Sequence, residues 1–457
     1  MKNYKLLNPF LVLGIFLIIM TLAQSAVVGA DYDFEGRTVT IGGAEGNHGR
    51  GRVTGEMFEE GEMHSHLQEV EEEFNVNIEF NPSPDPYFIY DWVVEHVLAG
   101  DVPADIIRVK HYDMEPLALE GVIQPLDDVL DKDYYNSLPE AHQSEKARSL
   151  YHRAGTPYGF SINHSMWGAN YIVWNKDMFE REGITSLYEL QEEGKWDWDA
   201  LIEISQDLTR DVDGDGETDQ WGIQPIDEEV NATHVTWSMY TNNATPVKEK
   251  DNGDIVFSYN EEEAISAIEL WDDLINEYEV IPDNDLGGVD NFVEGNVGMV
   301  FGDRFMLTVA AEEEMSDEFG IAFFPKGPQA EDYVAPVDPY DMLVLPTTTE
   351  EDPEALVELA NALFELTDDY SDVENWKEDV KDEYFYPYIQ DRESTNVLDD
   401  IFQSWIPIRY YLGEGMLFST DLPAQIEAAL AGDESPRGAI EAIEEAVQEH
   451  LDQQFDQ

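Results

Sequence analysis

No cysteine occurs anywhere in the sequence, and lysine plus arginine number only 24 against 99 aspartates and glutamates. Without cysteine there is no disulfide, no thiol nucleophile and no lipid-bearing cysteine at a processing site. The shortage of positive charge disfavours nucleic acids and anionic lipid surfaces as partners, because a formal charge of -75 repels phosphate. Also missing are internal repeats, low-complexity tracts and the hydrolase signatures G-x-S-x-G and H-E-x-x-H. The glycines at 42, 43, 46, 49 and 51 fit neither G-x-G-x-x-G nor a P-loop, which argues against a nucleotide ligand.

What is present begins with size. The 457 residues are 42% hydrophobic, enough for large cores in two or three packing units. Aromatic residues make up 12% and are interspersed with the acids, so the chain is expected to fold rather than stay disordered. A folded protein this acidic fits life in concentrated salt, where the screening length falls to roughly 3 Å at about 1 M and carboxylates keep the surface hydrated. Residues 1–30 carry Lys2 and Lys5, an apolar run from Leu6 to Ala23 and the small residues "VVGA" before Asp31. That layout predicts a secretory signal outside the fold; the run is long for a signal, which leaves an uncleaved anchor as the alternative.

The order of elements predicts an α/β protein. "RTVTIGG" is a β-rich run into glycines, "MHSHLQEVEEEF" places Leu67, Val70 and Phe74 at helical spacing, and "VNIEF" returns to alternation. "DWVVEHVLAG" then reads as a helix stopped by Gly100, and "PADIIRV" as a buried strand of a parallel sheet. Asn260 with Glu263, Asp352 before Pro353 and Ser435 before Pro436 are helix-start signals. The last opens the stripe Ile440, Ile443, Val447, Leu451 and Phe455, expected to pack as one helix.

Several stretches, in this order, resemble the extracellular solute-binding proteins of ABC importers, and within them the large carbohydrate-binding group that includes maltose-binding protein. They are "LAGDVPADIIRV" with "LALEGVIQPLDDVL", "GTPYGFSINHSMWGANYIVWNKDMFEREGI", "WDWDALIEISQDLTRDVDGDGETDQWGI", "FVEGNVGMVFGDRF", "FGIAFFPKGP" and "AGDESPRGAIEAIEEAVQEHLDQQF". The resemblance implies a two-lobe α/β clamp crossed by the chain about three times, with residues 31–165 plus 343–372 as the first lobe and 166–342 plus 373–457 as the second. It implies an extracytoplasmic receptor that closes over a carbohydrate, an oligosaccharide by expectation, and hands it to a membrane permease as a monomer without covalent chemistry. Open α/β sheets bind ligands in loops beyond strand ends, which agrees with such a cleft.

A sugar presents apolar C–H faces and a rim of hydroxyls, so its site needs aromatic platforms beside carboxylates and amides. The resemblance puts Trp167 and Asn170 at the first crossing, Trp237 and Tyr240 on a stacking segment, Tyr340 at the second crossing and Trp405 at a further platform. In "GDRF", where many relatives carry a tryptophan, this chain offers Asp303, Arg304 and Phe305. Glu45 and Asn47, and His111 with Tyr112, follow first-lobe strands and are placed to reach hydroxyls. Core or hinge packing is the competing reading for Trp167, Trp237 and Tyr240.

"DVDGDGETDQWG" matches an EF-hand loop at Asp211, Asp213, Asp215, Gly216, the Glu217 carbonyl and Asp219, but position twelve is Gly222 instead of glutamate. It reads as a structural calcium site or else as a solvated acidic turn. Three rival functions stay open on the sequence. A secreted polysaccharide hydrolase or lyase would also use aromatic platforms and paired carboxylates. A metal-capture role would draw on His48, His64 and His66, although two residues apart on a helix His64 and His66 face different ways. The same clamp could also hold a peptide or lipid.

Overall fold

The structure is a computed structural model that describes residues 32–43, 61–82, 89–130, 152–153, 155–160, 169–227, 230–250, 255–282, 287–312, 315–337, 341–364, 381, 385–408 and 421–454. The expected signal segment lies outside these. Among the described residues no helix is long and apolar enough to cross a membrane.

The chain runs β1 (Thr38–Gly43), α1 (Gly61–Phe74), β2 (Asn77–Pro82), α2 (Ile89–Ala99), β3 (Ile106–Lys110), α3 (His111–Leu119), a ribbon of β4 (His152–Arg153) and β5 (Thr156–Pro157), and β6 (Gly159–Phe160). Next come β7 (Tyr171–Asn175), α4 (Lys176–Glu182), α5 (Leu187–Glu192), α6 (Trp198–Leu208), β8 (Trp221–Pro225), α7 (Ala232–Thr241), the hairpin β9 (Val247–Glu249) and β10 (Ile255–Phe257), α8 (Glu262–Asp272), α9 (Gly288–Val293), β11 (Val297–Gly302), α10 (Arg304–Glu312) and β12 (Phe319–Ala322). Then follow β13 (Ala335–Val337), β14 (Asp341–Val344), α11 (Pro353–Phe364), α12 (Arg392–Ser404), β15 (Trp405–Pro407), α13 (Leu422–Leu430), α14 (Pro436–Glu441) and α15 (Glu444–Gln454).

Two sheets organise these elements. The first has the order β2-β1-β3-β14-β6, with β1 parallel to both β2 and β3 and β14 antiparallel to its neighbours. The second is β12-β7-β11-β8, in which only β7 runs against the rest. Side chains alternate between faces, so both sheets are covered on each side, as near-continuous apolar strands require. Ile41, Ile106 and Leu343 face a core shared with α1 and α11, whereas Ile107, Val109, Met342 and Val344 face α2 and α3. In the second sheet Ile172, Met299 and Ala322 pack toward α6, α7, α8 and the C-terminal helices, and Tyr171, Val173, Val300 and Ile321 toward α9, α10 and α12. The core on this latter side is continuous with that of α2 and α3, through Ala169, Ala335 and Val337.

The helix starts divide. Asp352 caps α11 by accepting from the Glu354 N–H at 2.9 Å, and Ser435 caps α14 by accepting from Gly438 at 3.1 Å. Asn260 does not cap α8: the helix opens after Glu261, and the Asn260 amide donates instead to Glu444 at 2.6 Å. The last stripe buries Ile440, Ile443, Val447 and Leu451 as expected, but on two helices with a turn at 442–443 between them, and Phe455 lies outside the described residues. Glycines 42 and 43 are explained by packing. Gly43 has φ +122, and a Cβ on it would overlap the Arg108 backbone of β3, so the parallel pairing of β1 and β3 requires glycine there.

Where the two sheets join, three stretches run side by side. Ala169 bridges Val337, Asn170 donates its N–H to the Pro336 carbonyl at 2.8 Å, β13 pairs in parallel with β15, and Ile408 donates to Val337 at 3.0 Å. The chain thus leaves the end of β6 to start β7, and leaves the end of β12 to start β14 at Asp341.

Candidate functional site

Both passages connect the same ends of the sheets. In the first sheet β1, β2, β3 and β6 all finish at this end, where β14 begins; in the second β8, β11 and β12 finish where β7 begins. Loops beyond the carboxyl ends of parallel strands are where open α/β sheets bind ligands, since side chains from several strands converge there without disturbing the ladder.

The second sheet supplies this end with a connected set of groups. After β11, Asp303 opens α10: its Oδ1 accepts the Phe305 N–H at 2.8 Å and its main-chain carbonyl accepts from Met306 at 3.1 Å. Burial pushes the Asp303 carboxyl above the usual range, against backbone hydrogen bonds and Arg304 that hold it down. Phe305 is 51% exposed, an unusual position for a phenyl ring. Across the strand pair, Tyr171 lies in register with Gly302, the residue before Asp303. After β8, the Asp227 carboxyl is also raised by burial, and it accepts from the Asn231 amide at 3.3 Å.

Asn231 and His234 form the start of α7 as a reciprocal cap. The Asn231 side chain accepts from the Thr233 and His234 N–H groups at 2.9 and 3.4 Å, and His234 Nδ1 accepts from the Asn231 N–H at 3.1 Å. Nε2 therefore carries the proton and faces Asp227 Oδ2 at 3.4 Å. Full burial drives the imidazole down to a pKa of about 3, so it is neutral at ordinary pH, and its approach to Asp227 is a polar contact rather than an ion pair.

The residues singled out from the sequence distribute unevenly. His111 and Tyr112 open α3 directly after β3, at the same strand end. Glu45, Asn47, Trp167 and Tyr340 lie outside the described residues. Asn170 is buried at the junction, its amide donating to the Pro336 carbonyl at 3.2 Å. Trp237 is only 8% exposed: its ring packs at 5.2 Å from His234, 5.4 Å from Phe301 and 6.4 Å from Phe324, which places it inside the second-lobe core, and Tyr240 is buried one turn along the same helix. Trp405, on β15 beside the junction, is half-buried. Asp303, Arg304 and Phe305 fall together at the strand end. Sequence reasoning passed over Tyr171, Asp227 and His234; the Asn-x-x-His spacing of the α7 cap was the one legible signal.

The acidic loop stands apart, between α6 and β8. Carboxylate oxygens of Asp211, Asp213 and Asp215 lie within 4.8 Å of one another, all exposed. Asp211 accepts from the Gly214 and Gly216 N–H groups, and Asp219 Oδ2 accepts from Val212 and Asp213 at 2.8 and 3.2 Å, which folds the loop around its own acids. Gly216 has φ +99, the left-handed turn that position six of such a loop requires. Gly222 is buried against α6, where any Cβ would overlap the Ser205 backbone, so no glutamate fits at position twelve.

The sequence profile of the family described as bacterial extracellular solute-binding protein matches residues 65–365. No curated protein sequence matches the chain. Among solved structures, it is similar to the ABC substrate-binding protein Lmo0181 from Listeria monocytogenes in complex with cycloalternan, at 12% identity and a TM-score of 0.62, over 92% of this chain and 99% of that one. It is also similar to the maltose/maltodextrin-binding domain MalE from Bdellovibrio bacteriovorus bound to maltotriose, at 16% identity and a TM-score of 0.59, over 92% and 100%. A third is the GacH receptor of Streptomyces glaucescens, solved unliganded and with acarbose, at 13% identity and a TM-score of 0.60, over 92% and 98%. At these identities the likeness establishes the shared two-lobe periplasmic-binding-protein fold.

Proposed function

Because this chain belongs to the bacterial extracellular solute-binding protein family and so works outside the cytoplasm, we propose that its solute is a carbohydrate, an oligosaccharide by preference, held between the lobes and passed to an ABC permease. The observation that carries the reading is the strand-end cluster of the second sheet. An exposed Phe305 ring beside the half-buried carboxyl of Asp303, with Trp405 near the junction, offers the apolar platform and hydroxyl acceptors a sugar needs. The carbohydrates bound by proteins of the same fold support that ligand class. The role requires binding and lobe closure and no bond-making step; the acidity of the surface argues against nucleic acid, and one chain suffices for the clamp. The lobes are read as residues 31–165 with 343–372, and 166–342 with 373–457.

The test is a thermal-shift and calorimetric titration in about 2 M KCl with maltotriose, acarbose and cycloalternan, against peptides and amino acids. A sugar at 100 times its Kd should stabilise the protein by about 2.7 kcal/mol. Stabilisation by peptides with none by sugars overturns the reading, and release of reducing sugar from polysaccharide would move the chain to the hydrolases.

The acidic loop is read as a structural calcium site supplied by Asp211, Asp213, Asp215, the Glu217 carbonyl and Asp219, tying the end of α6 to β8. The crowding of three carboxylates within 4.8 Å of one another favours it, since a cation relieves that repulsion. Calcium should raise the melting temperature in a chelator-treated sample, and Asp211→Asn should abolish the rise; equal melting with calcium and chelator rejects the site.

A further inference from the structure

We infer that the Tyr171 hydroxyl and the Asp303 carboxyl together read one hydroxyl of a polyhydroxylated ligand at the second-sheet end of the cleft and thereby set specificity, an inference that rests on the carbohydrate reading above. Tyr171 is the first residue of β7, immediately after the junction residue Asn170, and it lies in register with Gly302, whose neighbour is Asp303. Its side chain is wholly buried, and its Oη has no hydrogen-bond partner among the described residues. Burial raises its pKa well above the ordinary value, the charge of Asp303 adding to the rise and that of Arg304 opposing it.

A buried hydroxyl without a partner is destabilising, and phenylalanine would fill the same space without that penalty. A tyrosine so placed becomes favourable once a polar group reaches Oη. The nearby Asp303 is fixed by the Phe305 N–H at 2.8 Å and presents an acceptor, while Tyr171 presents a donor. A sugar hydroxyl both donates and accepts, so one such group satisfies both at once. Phe305, two residues beyond Asp303 and half exposed, lies beside them as a platform for the same ring. Oη is covered by the protein, so a ligand hydroxyl that pairs with it must displace that cover on binding.

Tyr171→Phe tests this in the full-length chain, melted without sugar and titrated with maltotriose and acarbose by calorimetry in high salt. The variant should melt at or above the wild-type temperature without sugar, yet bind the sugar about tenfold more weakly. Asp303→Asn should weaken binding as well, and the double variant should lose less than the two single losses combined, because the pair shares one hydroxyl. Wild-type affinity in Tyr171→Phe overturns the inference. So does weaker binding accompanied by a lower melting temperature without sugar, which is the mark of a structural tyrosine. If the wild type binds neither sugar, the carbohydrate reading fails and this inference with it; if the wild type binds and Tyr171→Phe binds equally, only this inference falls.

Discussion

At the scale of single residues, burial decides which polar side chains remain available. The family resemblance offered Trp237 as a stacking ring with core packing as the alternative, and its ring is enclosed by His234, Phe301 and Phe324, while the less conspicuous Phe305 is exposed. His234 gives a signed pH effect. Its folded pKa of about 3 lies below the ordinary value of 6.5, so the unfolded chain takes up a proton first. The stability it contributes is complete above pH 6.5 and is lost as pH falls toward 3. Between pH 7 and 5 the loss from this group should be about 2 kcal/mol. Urea midpoints at the two values, compared with His234→Gln, check it: the variant should show a shallower fall, and identical slopes would mean the imidazole titrates normally. Asp227 and Asp303, raised by burial, act in the opposite sense, since the folded chain holds their protons more tightly and gains stability as pH drops through their range.

Elements were legible where a cap and an apolar stripe agree. On α6, Asp197 accepts from the Ala200 N–H at 3.0 Å and Trp198, Leu201, Ile204 and Leu208 are buried together, as their spacing requires. The misreading at Asn260 shows the limit: the side chain satisfies the general chemistry of a cap, but Glu444 on α15 competes for it, and that residue is 184 positions away in sequence. At the start of α7, Asn231→Ala should cost about 1 kcal/mol, read by chemical denaturation, because it removes the acceptor for two N–H groups. The acidic loop offers a sharper test. Gly222→Glu restores the ligand missing from position twelve on paper, yet the side chain would collide with α6. It should therefore add no calcium affinity and should destabilise the protein by about 3 kcal/mol; tighter calcium binding in a protein of unchanged melting temperature would contradict the packing described here.

The whole molecule is governed by charge and by the junction between the lobes. With 99 acids and 24 bases, cations are shared: Lys176 reaches both Glu318 and Asp391, at 3.3 and 3.1 Å. Most carboxylates therefore face one another across water, and their repulsion extends about 10 Å at 0.1 M salt but about 3 Å at 1 M. Dialysis from about 2 M to 0.1 M KCl should lower the melting temperature by well over ten degrees, followed by circular dichroism; a protein indifferent to dilution would not depend on screening. Around the junction, one apolar cluster holds residues of both sheets together with Ala169, Ala335 and Val337, packed and buried.

By itself the sequence determined the alternation of strands and helices, the acidic surface and the order of segments that marks the family, because periodicity, capping and charge act locally or in sum. Which side chains are buried and which lie near one another was decided only by the tertiary structure. Tyr171 and Asp303 are 132 positions apart and are brought near one another by strand register, and Trp237 is enclosed by Phe301 and Phe324 from distant segments as well as by His234 on its own helix, long-range relations that no local pattern encodes.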